Sequence, residues 1–164
     1  MLKRITYFFA ICMMGISAAG MAESVYEVGA LNPWSNTDSG IASLMVRDAE
    51  ATDERINQAE PIIVLGDTEH PLEISFDQLS HETHLYSYTL LLLNADGSPA
   101  SLSQSEYING FNSADITDYE HSFNTHQLYT HYRFSFPNDD MQPLLSGSYA
   151  LIIYENGDPK NVQA

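Results

Sequence analysis

Cysteine is almost missing from this chain: Cys12 is the single thiol in 164 residues. One thiol forms no internal disulfide and no zinc–thiolate cluster. Basic side chains are scarce as well. Six Lys and Arg stand against 22 Asp and Glu, a formal net charge of −16. That surplus repels nucleic acid phosphates and anionic membrane surfaces, and it favours a basic partner, divalent cations or simple solubility. The chain also lacks a phosphate loop and a dinucleotide fingerprint. Ser146-Gly147-Ser148 lacks the flanks of a nucleophile elbow. Carboxylates are so plentiful that no pair stands out for glycoside chemistry.

One long apolar run exists, ITYFFAICMMGIS, directly after Lys3 and Arg4. It is too short to span a bilayer comfortably, and it leads into Ala18, Ala19, Gly20 and Ala22. A positive start, an apolar middle and small residues at the exit read as a signal peptide over residues 1–22, cleaved before Glu23. Ile11 rather than a small residue precedes Cys12, which argues against a lipoprotein. Cys12 then leaves with the signal, and the exported chain keeps 4 basic against 22 acidic side chains. Residues 23–164 are long enough to bury one core without disulfides.

Most of that remainder reads as strands and turns. SVYEVGAL and IASLMVR are two expected strands, and PIIVLGD is a third. DAEATDERINQAEP reads as a loop or one short helix. HPLEISFDQL alternates Leu72, Ile74 and Phe76 with polar neighbours, the period of a half-buried strand. LYSYTLLLLN predicts a central strand covered on both faces. Asn94-Ala95-Asp96-Gly97 is turn chemistry. YTHYRFSFPN puts Tyr132, Phe134 and Phe136 on one face, and SGSYALIIYENGD is the last strand. About eight short strands with regular turns predict an all-β antiparallel sandwich, immunoglobulin-like in size.

The histidines carry the weakest chemical signal. HETH, His81 to His84, is one residue short of the zinc-hydrolase spacing, which needs two histidines at i and i+4 on a helix. His121, His126 and His131 are five residues apart, an odd spacing that sends neighbours to opposite faces of a strand. Asn94, Asp96 and Ser98 lack the calcium-loop pattern. No cofactor and no metal are therefore expected. The aromatic residues are denser than any catalytic motif. Tyr86, Tyr88, Tyr107, Phe111, Phe123, Tyr129, Tyr132, Phe134, Phe136 and Tyr149 fall in or beside strands, where most build a core. An exposed tyrosine strip would instead suit a sugar or a protein partner.

The ordered series ISFDQL, YSYTLLLLNADGSPASL, SEYINGF, YEHSFNT, YTHYRFSFPN and SGSYALIIYE resembles the first domain of the type IX secretion system plug protein family. The likeness runs from about Val25 to Glu155. It departs from the family at Leu93 and Gly97, which flank the Asn94–Asp96 turn where a cysteine and a tryptophan are expected. The resemblance implies a non-enzymatic periplasmic protein, associated with the outer membrane through an outer-membrane translocon barrel. That role makes it a plug or gate. Partner contact is expected at Tyr107, Asn109, Phe111, Tyr119, His121 and Asn124, on the exposed side of SEYINGFNSADITDYEHSFNT. Two rival readings are an exported carbohydrate-binding module, which needs a flat aromatic platform, and a small hydrolase, which needs a cleft of converging titratable groups.

Overall fold

The structure, a computed structural model, describes residues 40–48, 61–158 and 162–163. The signal segment, the expected strand SVYEVGAL and residues 49–60 of the polar stretch lie outside the described residues. Within them the elements run β1 (Ile41–Asp48), β2 (Leu72–Gln78), β3 (Tyr86–Leu93), a one-turn helix α1 (Gln104–Tyr107), β4 (Ile108–Gly110), β5 (Ala114–Ile116), β6 (Asp118–His121), β7 (Thr130–Phe136), β8 (Met141–Pro143) and β9 (Ser148–Glu155). The all-β expectation is borne out. Three sheets form, with strand orders β1-β2-β7-β6, β5-β3-β9 and β4-β8. Every strand pair among them is antiparallel.

The period-2 pattern of the sequence sets the registers. In β2, Leu72, Ile74 and Phe76 point into the core, and Phe76 lies directly opposite Tyr132 of β7. Their rings stack with centroids 5.2 Å apart and planes 10° apart. Tyr86 of β3 meets both edge-on, at 5.2 Å and 4.9 Å. Such offset and edge contacts suit the ring quadrupoles and add to the burial of the rings themselves. This trio joins the four-stranded sheet to the three-stranded sheet, and one continuous cluster includes side chains from β2, β3, β7 and β9. β3 is buried along its whole length, as its run of Leu90 to Leu93 predicts.

PIIVLGD is not a strand. Residues 61–67 form loop and turn, with the Asp67 amide bonded to the Val64 carbonyl at 3.0 Å and Gly66 at φ +80°. Pro61 has no amide proton to give a ladder, and the left-handed backbone at Gly66 turns the chain away. The segment is apolar because Ile63 is buried and Leu65 packs against the same core from outside the sheets. The turn at Asn94 forms as expected, with the Gly97 amide on the Asn94 carbonyl at 2.9 Å. Asp96 is held below the usual carboxylate range by hydrogen bonds from the Ser98 side chain and backbone. Its Oδ1 is used inside the turn, at 2.6 Å from Ser98 Oγ.

Candidate functional site

The six expected contact residues separate into a buried one and two exposed groups. Tyr107 is only 2% exposed. It closes α1, whose N-terminus is capped by Glu106 accepting from the Ser103 amide at 2.8 Å. Its ring packs 6.0 Å from Tyr149, and it belongs to the core rather than to a contact surface. This corrects the expectation for Tyr107. Tyr107 is the last residue of a helical turn, and it is buried.

Asn109 and Phe111 form the first exposed group. Asn109 pairs with Gln142 across β4 and β8. Phe111 is 65% exposed, yet its backbone is anchored by a 2.8 Å bond from its amide to the Asp140 carbonyl. Gly110 makes that approach possible. It holds φ +103°, and a Cβ there would collide with the Asp140 carbonyl oxygen.

Tyr119, His121 and Asn124 form the second group, at the outer edge of the four-stranded sheet. All four residues of β6 are exposed. Tyr119 and His121 lie with rings 5.7 Å apart, and Tyr119 also touches Tyr132 at 5.6 Å. Asn124 takes φ +58° in the loop that follows, a conformation Asn tolerates because its short polar side chain bonds locally. The loop is tied at its base: the Ser122 amide reaches the Tyr129 carbonyl at 2.8 Å, and the Tyr129 amide reaches Ser122 Oγ at 2.9 Å. Between these ties Phe123 is 92% exposed. Sequence reasoning counted Phe123 among the aromatic residues of which most build a core, without deciding its own place. The signal that could have placed it outside is its position between Ser122 and Asn124, both turn formers.

Two further features neighbour these groups. A cleft of ≈ 310 Å³ is lined by Glu73, Asp115, Asp118 and Asp140, with Arg133 among them and Tyr88 and Phe134 in its wall. Arg133 Nε donates to Asp118 Oδ2 at 2.7 Å, and Glu120 lies 3.7 Å away. The guanidinium is raised above its ordinary range mainly by the Asp118 hydrogen bond. With its cation already engaged and carboxylates around it, the cleft disfavours anionic ligands.

The second feature is a histidine-rich end, where the β2–β3 connection meets β6, β7 and β9. His84 Nδ1 lies 2.6 Å from Glu155 Oε1, and His131 Nδ1 lies 2.7 Å from Asp77 Oδ1. His81 and His121 stand with ring centroids 4.8 Å apart. Among the described residues, no group of three or more His, Cys, Asp or Glu is arranged to hold a metal ion. The shifted phenols are core groups. Burial pushes Tyr86, Tyr88, Tyr107 and Tyr132 upward, which keeps them protonated and structural.

Comparison with known proteins gives this arrangement a family. The chain matches the first domain of the type 9 secretion system plug protein over residues 41–164. A crystal structure of a hypothetical protein from Parabacteroides merdae superposes with a TM-score of 0.66 at 36% sequence identity, covering 75% of this chain and 30% of that one. This chain thus spans less than a third of that protein's length. No curated protein matches the sequence. The chain belongs to the type 9 secretion system plug protein family, through that family's first domain.

Proposed function

We propose that the protein is a non-enzymatic, periplasmic protein-binding component of an outer-membrane secretion translocon, with a plug or gating role. The observation that carries this reading is the family match across residues 41–164. The family is that of a secretion-system plug, not of an enzyme. In this reading residues 1–22 are a cleaved signal peptide. In the same reading residues 23–164 make up one domain, an immunoglobulin-like sandwich, and the core cluster that includes Phe76, Tyr86 and Tyr132 supports it. The protein reaches the outer membrane through its barrel partner, since the exported chain's large surplus of acidic over basic side chains repels anionic lipid.

Contact runs through the exposed groups already described: Asn109 and Phe111 on one side, and Tyr119, His121 and Asn124 on the other. Phe123 joins the second group. Aromatic side chains held on a tied loop lose little freedom on binding and suit an apolar pocket in a partner. The test is affinity capture of the tagged exported protein from envelope membranes of its own host, read by mass spectrometry. Recovery of a large outer-membrane barrel, lost in a Phe111→Ser/Phe123→Ser double variant, is the expected result. Capture without any barrel protein, or equal capture by the double variant, overturns the reading or its contact surface respectively.

A further inference from the structure

We infer that His81 and His121 form a two-imidazole surface site for a borderline divalent transition ion, of which zinc is the representative. The inference stands apart from the secretion reading. It rests on a juxtaposition that only the fold creates, because the two residues are far apart in sequence and come from the β2–β3 connection and the end of β6.

The hydroxyl network assigns the tautomer of His121. Thr130 is fully buried, and its hydroxyl donates to the Ser80 carbonyl at 2.9 Å. A hydroxyl has one proton to give. With that proton on the Ser80 carbonyl, and the Glu82 carbonyl a longer alternative at 3.4 Å, Thr130 Oγ1 is left to accept from His121, whose Nδ1 lies 3.0 Å away. With Nδ1 carrying the proton, Nε2 presents its lone pair. The same arrangement, one ring nitrogen tied to a fixed acceptor and the other left to coordinate, orients histidine ligands in metalloproteins. The neighbour of Nε2 is the exposed Thr83 hydroxyl at 3.4 Å, a long contact that an incoming ion displaces easily.

Ring spacing agrees with a shared ion. With metal–nitrogen bonds of about 2.0–2.1 Å, two imidazoles meeting at roughly a right angle have ring centres about 4.5–5 Å apart. The His81 and His121 centroids are 4.8 Å apart with planes tilted by 38°. Both side chains are exposed, so water completes the coordination shell. Imidazole donors favour zinc, nickel or copper over magnesium and calcium. The strongly negative charge of the chain raises the local concentration of any cation. Two protein ligands are fewer than a structural zinc site employs, so the site is a reversible surface site and not part of the folding core.

Calorimetric titration of the untagged chain with zinc chloride tests the assignment, with nickel chloride as a second probe and magnesium and calcium chlorides as competitors. One zinc per chain is expected, not displaced by magnesium or calcium. His81→Asn and His121→Asn should each weaken binding by about tenfold or more, while His126→Asn leaves it unchanged. His81 is exposed, so its variant keeps the fold and the test remains decisive even if the His121 variant loses stability. No saturable zinc uptake, unchanged affinity in His81→Asn, or equal displacement by calcium would overturn the site.

Discussion

β3 and β6 are both antiparallel strands with tyrosine in them, and they share almost nothing else. Every residue of β3 is buried, whereas every residue of β6 is exposed. β3 lies between β5 and β9, while β6 pairs with β7 at the outer edge of its sheet. Position explains composition. A central strand tolerates eight successive buried side chains because neighbours satisfy its backbone and both faces are covered. An edge strand carries short length and charge, which discourage pairing with other chains. Asp118 and Glu120 do this on β6, with Arg133 of β7 held beside them. The difference teaches where this molecule keeps its stability and where it offers a surface.

High pH should break the interior most severely. Tyr86 and Tyr88 on β3, with Tyr107 and Tyr132 behind them, are raised chiefly by burial. Their unfolded counterparts ionise near pH 10, below the folded groups. The stability tied to this shift is complete below about pH 10 and is lost as pH rises, because the unfolded state releases protons first. Each buried phenol then lowers stability as pH climbs, with a limiting slope of about 1.4 kcal/mol per pH unit where the unfolded phenol is ionised and the folded one is not. Urea midpoints measured between about pH 9 and pH 11, with phenolate absorbance as a second probe, should show cooperative unfolding and phenol ionisation together. Gradual ionisation in a chain that stays folded would contradict the burial argument.

Removing Phe76 attacks the same interior sterically. Its ring is fully buried and contacts both Tyr86 and Tyr132, so Phe76→Ala should cost about 3–5 kcal/mol in chemical denaturation. Phe123→Ser is the opposite control. A ring 92% exposed contributes little to folding, and the variant should stay within about 0.5 kcal/mol of the parent. Its effect belongs in partner capture. A large stability loss at Phe123 would mean that the edge region is integral to the core, and the contrast between β3 and β6 would collapse.

Much of the strand plan was legible. The alternation in LEISFDQ, the apolar run YSYTLLLL and the pattern of THYRFSF map onto β2, β3 and β7. Each follows from a local period that the pleat enforces. PIIVLGD failed because a short apolar run says only that side chains become buried, and Ile63 is buried from a loop. Tyr107 and Phe123 could not be placed from sequence for the converse reason. An aromatic residue does not announce whether its segment ends in a helical turn beneath the surface or projects from a hairpin. The short strands β4, β5, β6 and β8 have too few residues for any period to show.

The contact region was readable only in outline. Sequence reasoning placed it between Ser105 and Thr125, but exposure divides that stretch residue by residue: Tyr107 and Ile116 buried, Phe111 and Phe123 outside. The histidine end was not readable at all. HETH has the wrong spacing for a helical metal motif, and nothing local connects His81 to His121. Their 4.8 Å separation depends on Thr130 and Tyr132 holding the β2–β3 connection. Thr130 donates to the Ser80 carbonyl, while the Tyr132 hydroxyl accepts from the His84 amide at 2.8 Å.

By itself the sequence determined the all-β class, the acidity that disfavours nucleic acid and anionic lipid, the main strands and the family likeness. These depend on composition, on short-range periodicity and on the order of motifs. The tertiary structure decided which aromatic rings are core and which are surface, how one arginine is placed among four carboxylates, and which histidines meet. Those outcomes depend on contacts between residues distant in the chain, and side-chain burial is settled by what packs across the sheet rather than by what precedes or follows.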